Sequence, residues 1–238
     1  MGWDSQAATH TDQAFPGSSA ALSLIHARIL LLLDVAPHKP YSNVEQHIVG
    51  ILSNANTTIH TAYQLWRNGR LLQTGILLRN SIEASAFAVQ LHSEPTIHSQ
   101  YLSGQLSSTK AIAKAAKVLG PTGPNIKEQY DELSKHFVHI GPLQRASLTW
   151  HIDIRKDKIP LQVVLLDLKW AYYLLEVCAE FCLFHRMSDG RYWRRSANHL
   201  AFEPTAEAEK WLSGFIEKDI DEVQKALQKG GSIAMPTI

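Results

Sequence analysis

Cysteine and net charge are both scarce in this sequence, and each shortage excludes a class of protein. Its two cysteines, Cys178 and Cys182, lie four residues apart, which does not fit the disulfide framework of a small secreted domain. The 23 Lys and Arg residues nearly balance 22 Asp and Glu, so the formal charge is +1 at pH 7. No global field therefore attracts nucleic acid or an acidic membrane, and any such binding has to be local.

Long apolar runs and targeting signals are also missing. The longest aliphatic run, 29–33, is far shorter than the roughly 20 residues that cross a bilayer. The apolar stretch 163–183 is longer, but charged residues interrupt it at Asp167, Lys169, Glu176 and Glu180. No Lys or Arg precedes Arg28, so the cationic region of a signal peptide is absent. We expect a cytoplasmic protein with no membrane span.

Helical patterns dominate what is present. Apolar residues recur every three or four positions along most of the chain, with Pro and Gly between the periodic segments. Ser42 and Glu45 have the spacing of a capping box, and the nearly continuous apolar stretch 161–186 predicts a central helix. We predict an all-α fold, a single bundle of six to eight helices over 18–238, preceded by a flexible arm over 1–17.

One segment, near 147–154, has a different period. Leu148, Trp150, Ile152 and Ile154 alternate with polar residues, which is typical of extended chain. An extended loop fits this pattern, and so does a strand that pairs with its copy in a second subunit. We expect a homodimer, and both interpretations of the segment stay open.

Two short motifs carry the candidate catalytic residues. Arg79 and Glu83 are four apart in an apolar helix, so they share one face, and in a buried helix such charges have to be paired. In the second motif His136 and His139 follow Ser134 on another helix. Arg79 with Glu83 is interpreted either as a structural ion pair or as an anion clamp whose Glu acts as base. We identify Arg79, Glu83, His136 and His139 as candidate catalytic residues and Ser134 as a candidate ligand-binding residue.

Metal and redox chemistry are not predicted. Two imidazoles, His136 and His139, do not complete a zinc site, which needs three or four ligands. Cys178, Cys182 and His185 share one helical face, but buried cysteine more commonly packs as a small hydrophobe. We therefore predict no metal and no cofactor, and interpret the two thiols as reduced core residues.

A cationic cluster occupies 186–195. Its arginines, with an adjacent Tyr and Trp, have the composition of a surface that clamps phosphates and stacks on bases. Arg191, Arg194 and Arg195 are therefore candidate ligand-binding residues for an RNA or a protein partner. The alternative is a solvated loop whose Trp193 packs against the bundle.

The two motifs also support a resemblance. The segments LLRNSIEA (77–84) and YDELSKHFVHIG (130–141) resemble a group of all-helical bacterial proteins of unknown function, with an Arg-x3-Glu helix and a later Ser/His helix. That group is similar to HEPN domains, helical bundles that include RNA-cleaving toxins and defence proteins. Ile140 separates His139 from the following Gly, so either His136 or His139 takes the family position.

The resemblance implies two functions. The first is a binding or regulatory protein of unknown ligand in bacterial stress or phage defence. The second is a HEPN-like, metal-independent ribonuclease that uses Arg79 or Arg194 with His136, His139 or His199. HEPN ribonucleases have an Arg followed by four to six residues and then a His. Two pairs fit that spacing, which chance alone supplies in a chain with 12 histidines: Arg194 with His199, and Arg145 with His151. Whether the protein is an enzyme therefore stays open.

Overall fold

The computed structural model describes residues 3–34, 40–138, 158–196 and 199–217, together with Ile220. Nine α-helical segments and one short hairpin lie within these ranges, which confirms the all-α fold. The predicted extended segment at 147–154 lies outside the described residues, as do Arg145 and His151.

The helices are numbered in chain order. They are α1 (Trp3–Ala14), α2 (Ser18–Leu33), α3 (Asn43–Arg67), α4 (Leu71–Ser93), α5 (His98–Leu102), α6 (Ser108–Leu119), α7 (Ile126–Leu133), α8 (Ile159–Leu183) and α9 (Ala206–Leu212). Two π-helical turns, Ser134–Val138 and Ser213–Glu217, continue α7 and α9. An antiparallel hairpin of β1 (Trp193–Ser196) and β2 (His199–Phe202) follows α8.

The core lies where α3, α4 and α8 pack together. Helix α8 is buried on almost all sides, which confirms the predicted central helix. Trp66 of α3 is fully buried, and its indole N–H donates to the Leu161 carbonyl at 2.8 Å. Burial of this apolar surface is the main stabilising contribution to the fold. The capping box predicted at Ser42 and Glu45 is present at the start of α3.

The N-terminal segment, predicted as a flexible arm, contains a helix. Residues 3–14 form α1, and this helix packs on the end of α3. The buried Thr11 hydroxyl donates to the Arg67 carbonyl at 2.9 Å, and the Asp12 carboxylate pairs with the Arg67 guanidinium. The Phe15 ring lies 5.5 Å from the Trp66 ring. A few specific anchors therefore order a segment whose polar composition predicts little burial.

None of the described helices is by itself both long enough and apolar enough to cross a membrane. Residues Gln6–Ala14 of α1 and the whole of α2 reach the required length and apolarity only as a pair, and the pair is bent by 93°.

Candidate functional site

The first candidate site is the charged pair on α4. Nη1 of Arg79 lies 2.9 Å from Oε2 of Glu83, so the two residues are paired as their spacing predicts. Their side chains retain 22% and 19% of their exposure, which places them at the edge of the bundle. The pair is therefore half-buried rather than enclosed in the core. The apolar residues of α4 face the core, and the two charges face neighbouring α6 and α7.

Arg79 ties α4 to the segment that carries the second motif. Its Nε donates to Oγ of Ser134 at 3.2 Å, and its Nη2 donates to the Tyr130 hydroxyl. Its Nη1 also lies 3.4 Å from Oδ1 of Asn80. Most of the guanidinium N–H groups therefore bind protein atoms. Ser134, a candidate ligand-binding residue, acts here as an acceptor for Arg79.

Glu83 and Gly75 complete this attachment of α4 to its neighbours. The Ser108 hydroxyl, at the start of α6, donates to Oε1 of Glu83. One turn before Arg79, a Cβ added to Gly75 would lie 2.1 Å from the Phe137 ring. Only a glycine leaves room for that ring, so Gly75 lets the π-helical turn approach α4. We call Arg79, Glu83, Ser108, Tyr130 and Ser134 the Arg79 cluster.

His136 lies in the same π-helical turn but outside the Arg79 cluster. Its Nε2 is 3.5 Å from Oε2 of Glu132, one turn earlier on α7. Within the described ranges, no hydrogen bond or ion pair joins His136 to Arg79 or Glu83. His139 lies outside the described residues. The structure thus brings Arg79, Glu83 and Ser134 together and places His136 at a second location.

That second location is a cleft between α7 and α8, with a volume of about 340 Å³. Its described lining residues are Asn125, Glu128, Gln129, Glu132, Leu133, His136, Val163, Asp167 and Trp170. Three of them are carboxylates, and none of these described lining residues is Lys or Arg. We call this feature the Asp167 cleft. A concave site with a few converging polar groups is the usual form of a small-ligand site.

Asp167 is the titratable group in the wall of the cleft with the altered pKa. Burial is the main reason why the pKa of its carboxyl is raised to about 7. The hydrogen bond from Gln129 opposes this rise, and the Glu132 carboxylate contributes to it. Nε2 of Gln129 donates that bond to Oδ1 at 2.9 Å. Asp167 therefore changes charge near neutral pH, as ionisable groups in binding and catalytic sites commonly do. Asp167 is not among the residues that the sequence motifs predict, although a charge that interrupts the apolar sequence of α8 is a signal for it.

The arginines of 186–195 are mostly engaged with the protein itself. Arg194 donates to two backbone carbonyls of its own loop, one of them the Trp193 carbonyl at 2.8 Å. The guanidinium of Arg191 lies 5.2 Å from the centre of the Trp211 ring. Arg195 is exposed on β1. The cationic surface anticipated for RNA is thus reduced by these internal contacts.

A carboxylate of α8 binds the backbone of the 186–195 loop. Oε1 of Glu180 accepts hydrogen bonds from the backbone N–H groups of Tyr192 and Trp193 at 2.7 and 2.8 Å. Trp193 is buried, and its indole N–H donates to the Val177 carbonyl at 2.9 Å. This contact matches the predicted alternative in which Trp193 packs against the bundle. Glu180, like Asp167, is a charged residue within the otherwise apolar sequence of α8, and this pattern marks it as a residue that needs a partner.

The two thiols belong to the core. Cys178 and Cys182 are free and buried, and burial raises the pKa of the Cys178 thiol to about 12. The pKa of the Cys182 thiol is raised for the same reason. Thiolates are the reactive species, so neither residue has the character of a nucleophile. Among the described residues, no three His, Cys, Asp or Glu side chains are grouped so as to hold a metal ion.

Similarity to known proteins provides no further assignment of these sites. The chain matches no protein-family model, and neither a curated protein nor a solved structure is significantly similar to it.

Proposed function

We propose that this protein binds a small organic cation, such as a diamine or polyamine, in the Asp167 cleft. The observation that carries the proposal is the composition of that cleft. Its described lining has three carboxylates, one aromatic wall residue and no Lys or Arg. The sequence also led us to expect a binding protein. The site proposed here lies on the opposite side of α7 from the Arg79 cluster.

Charge favours a cationic ligand in the cleft. Glu128 and Glu132 are exposed at its α7 side, and the half-buried Asp167 faces them from α8. A cleft lined by one sign of charge concentrates ligands of the opposite sign. Carboxylates also accept the strong, charge-assisted hydrogen bonds that an ammonium group donates. These features together select a compact cation over a neutral or anionic ligand.

Shape and aromatic content agree with this ligand class. A volume of about 340 Å³ is at the small end of ligand sites, which suits an aliphatic amine rather than a nucleotide. Trp170 and Val163 supply apolar surface for methylene groups. An indole ring is also the aromatic group that interacts best with a cation.

The ionisation of Asp167 makes binding depend on pH. With a pKa of about 7, its carboxyl is largely neutral at about pH 6 and largely charged at about pH 8. His136 faces the same cleft from the π-helical turn. Protonation of Asp167 removes a negative charge from the cleft and so weakens cation binding as the pH falls. We therefore expect affinity to increase between about pH 6 and pH 8.

The ribonuclease alternative stays a prediction. Its candidate arginines are Arg79 and Arg194, and both donate hydrogen bonds to acceptors within the protein. His199 is an exposed residue of β2. No observation on the described residues favours phosphate chemistry over cation binding.

Isothermal titration calorimetry with putrescine and 1,4-butanediol tests the proposal. The two molecules have the same length and differ in charge, so we expect heat of binding with the diamine only. Asp167→Asn should weaken putrescine binding at least about tenfold at pH 8, because it removes the charge but keeps the shape. Asp131→Asn is the matched control, because Asp131 lies on α7 but pairs with Lys127 outside the cleft.

Two results would contradict the proposal. One is equal binding of putrescine and 1,4-butanediol, which would show that charge does not select the ligand. The other is an equal loss of binding in Asp167→Asn and Asp131→Asn, which would show only a general effect of surface charge. Circular dichroism of each variant establishes that the helices are retained.

A further inference from the structure

Helix α2 is apolar on two opposite faces, and only one of them is covered. Its buried face packs on the bundle through Leu22, Ile25, Ile29 and Leu33. On the other side the leucines are open, with Leu24 57% exposed and Leu31 70% exposed. Leu30 is 44% exposed beside them. A helix that is apolar all round is normally buried all round, and the outer face of α2 has no partner among the residues that the structure describes.

The outer face has the spacing of a helix–helix seam. Ala20, Leu24, Ala27 and Leu31 are all exposed and follow one another at intervals of four, three and four residues. This is the heptad spacing of positions that interlock with a second helix. Alanine alternates with leucine along the seam, so leucines of one helix fit over the small residues of another. The pattern is self-complementary, which a symmetric dimer requires.

We propose that a second copy of this chain covers this face, with the two α2 helices antiparallel and crossing near Ala27. In that arrangement Ala27 faces its own copy across the two-fold axis. Leu24 of each helix then packs near Leu30 and Leu31 of the other. The small alanine side chains at the crossing point let the helices approach closely. This surface is separate from the Asp167 cleft, which lies between α7 and α8.

Charge complementarity selects the antiparallel direction. Asp34, exposed at the C-terminal end of α2, is the one ionisable residue in line with the seam within the described range 3–34. Helix α2 begins after Gly17, whose φ is +88°, and no side chain caps its first turn. Antiparallel packing brings Asp34 of each copy to the uncapped N-terminus of the other helix, where the dipole attracts an anion. Parallel packing would instead bring the two aspartates together.

The same charges disfavour a membrane surface as the occupant. Helices that lie on membranes carry Lys and Arg beside their apolar face. The exposed positions of α2 are Ser, Ala, Leu and Asp, and its one arginine, Arg28, pairs with the buried Glu176. A neutral to acidic apolar seam is suited to another protein helix.

Sedimentation velocity of the full chain tests the dimer. We expect the wild type to sediment with twice the chain mass of 26.6 kDa. The variant Leu24→Glu/Leu31→Glu should be monomeric with its helicity retained, because each leucine removed weakens association roughly 10- to 100-fold. Leu102→Glu is the matched control and should stay dimeric, because Leu102 is 61% exposed on α5, away from the seam.

Cysteine cross-linking tests the direction of packing. Under mild oxidation Ala27→Cys should form a covalent dimer, and Leu31→Cys should not, because only position 27 faces its own copy. Efficient cross-linking at both positions would indicate a parallel pair and overturn the antiparallel arrangement. The native thiols, Cys178 and Cys182, are buried and should not interfere.

Three other outcomes would overturn the dimer itself. The first is a wild type that remains monomeric at every concentration reached. The second is a monomer whose Leu24→Glu/Leu31→Glu variant melts at a lower temperature, which would mean that the same chain covers the face. The third is a monomer that co-sediments with phosphatidylcholine vesicles and loses this property in the variant.

Discussion

The Arg79 cluster and the Asp167 cleft lie on opposite sides of one short segment, α7 and its π-helical turn, and they use charge differently. In the Arg79 cluster, the cation and the carboxylate both bind partners from the neighbouring helices. In the cleft, burial raises the pKa of the Asp167 carboxyl against the hydrogen bond from Gln129, and the Glu132 carboxylate adds to the rise. Charges that bind partners of opposite charge hold elements together, and carboxylates that face a cleft with no Lys or Arg in its described lining are available to a ligand.

Loss of a charge should have different consequences in the Arg79 cluster and in the Asp167 cleft. Removing a charge from the Arg79 cluster leaves a partner unsatisfied, so stability falls. Removing one from the cleft removes the cost of burying it, so stability is maintained and binding falls. Variants at the two places should therefore separate loss of stability from loss of binding, and the expected effects on the free energy of unfolding decrease from the Arg79 cluster to the cleft.

Arg79→Met should lower the free energy of unfolding by about 2–3 kcal/mol, because it removes three charge-assisted contacts and leaves Glu83 half-buried without its cation. Urea denaturation measures this change. Arg195→Met, at an exposed arginine, should change it by less than about 0.5 kcal/mol. Putrescine affinity of the folded Arg79→Met protein should equal that of the wild type. A tenfold loss of affinity with unchanged stability would move Arg79 into the binding site.

Gly75→Ala should lower the free energy of unfolding by about 2 kcal/mol, because its methyl group overlaps the Phe137 ring and displaces the π-helical turn. Gly50→Ala is the control, because Gly50 lies in α3 with open space around its Cα. That substitution should stabilise the protein by about 0.5–1 kcal/mol. Both values come from urea denaturation. Equal stabilisation by the two alanines would show that the turn does not pack against α4.

Tyr130→Phe should lower the free energy of unfolding by about 1 kcal/mol, because one hydrogen bond from Arg79 is lost and the ring is kept. Tyr101→Phe is the control on α5, since the Tyr101 hydroxyl makes no hydrogen bond within the described part of the chain. Thermal denaturation of both variants measures the difference. No difference between them would exclude a contribution of the Tyr130 hydroxyl to the Arg79 cluster.

The smallest effect is the pH dependence of stability due to Asp167. Its folded pKa of about 7 exceeds the ordinary value of 3.8, so the folded state holds this proton more tightly. The associated stability is fully present below about pH 4 and is lost as the pH rises through about 7. Relative to Asp167→Asn, the wild type should therefore be less stable at pH 8 than at pH 5. We expect about 1 kcal/mol or less, because solvent in the cleft screens the charge. A difference of opposite sign would contradict the raised pKa.

The sequence predicts the helical fold well because apolar periodicity is a local property. The capping box at Ser42, the central helix and the Arg79–Glu83 pairing all depend on residues within one or two turns. The helix within 1–17 is not predicted, because the contacts of this segment are with Arg67 and Trp66, more than fifty residues away. The hairpin after α8 was missed because its buried face rests on Glu180 and Val177 rather than on a periodic pattern.

The site was harder to predict for a related reason. Sequence spacing correctly paired Arg79 with Glu83, but it does not show on which side of the π-helical turn His136 lies. Asp167 gains its raised pKa first from burial and then from Glu132 on α7, and both depend on how α7 packs on α8. The signal that was present, a charge within an otherwise apolar helix, marks residues that need a partner. Asp167, Glu176 and Glu180 each carry this signal.

The carboxylate of Glu180, which belongs to the bundle, fixes the backbone where the hairpin begins. Because the main-chain amides of residues 192 and 193 bind that one oxygen, the path of the loop is set by its backbone rather than by its arginines. A Cβ added to Gly190 would lie 2.4 Å from the same oxygen, so the chain can turn there only over a glycine. The surface side chains of the loop are thus free to diverge in evolution while its shape stays constant, provided that one acid and one glycine are kept.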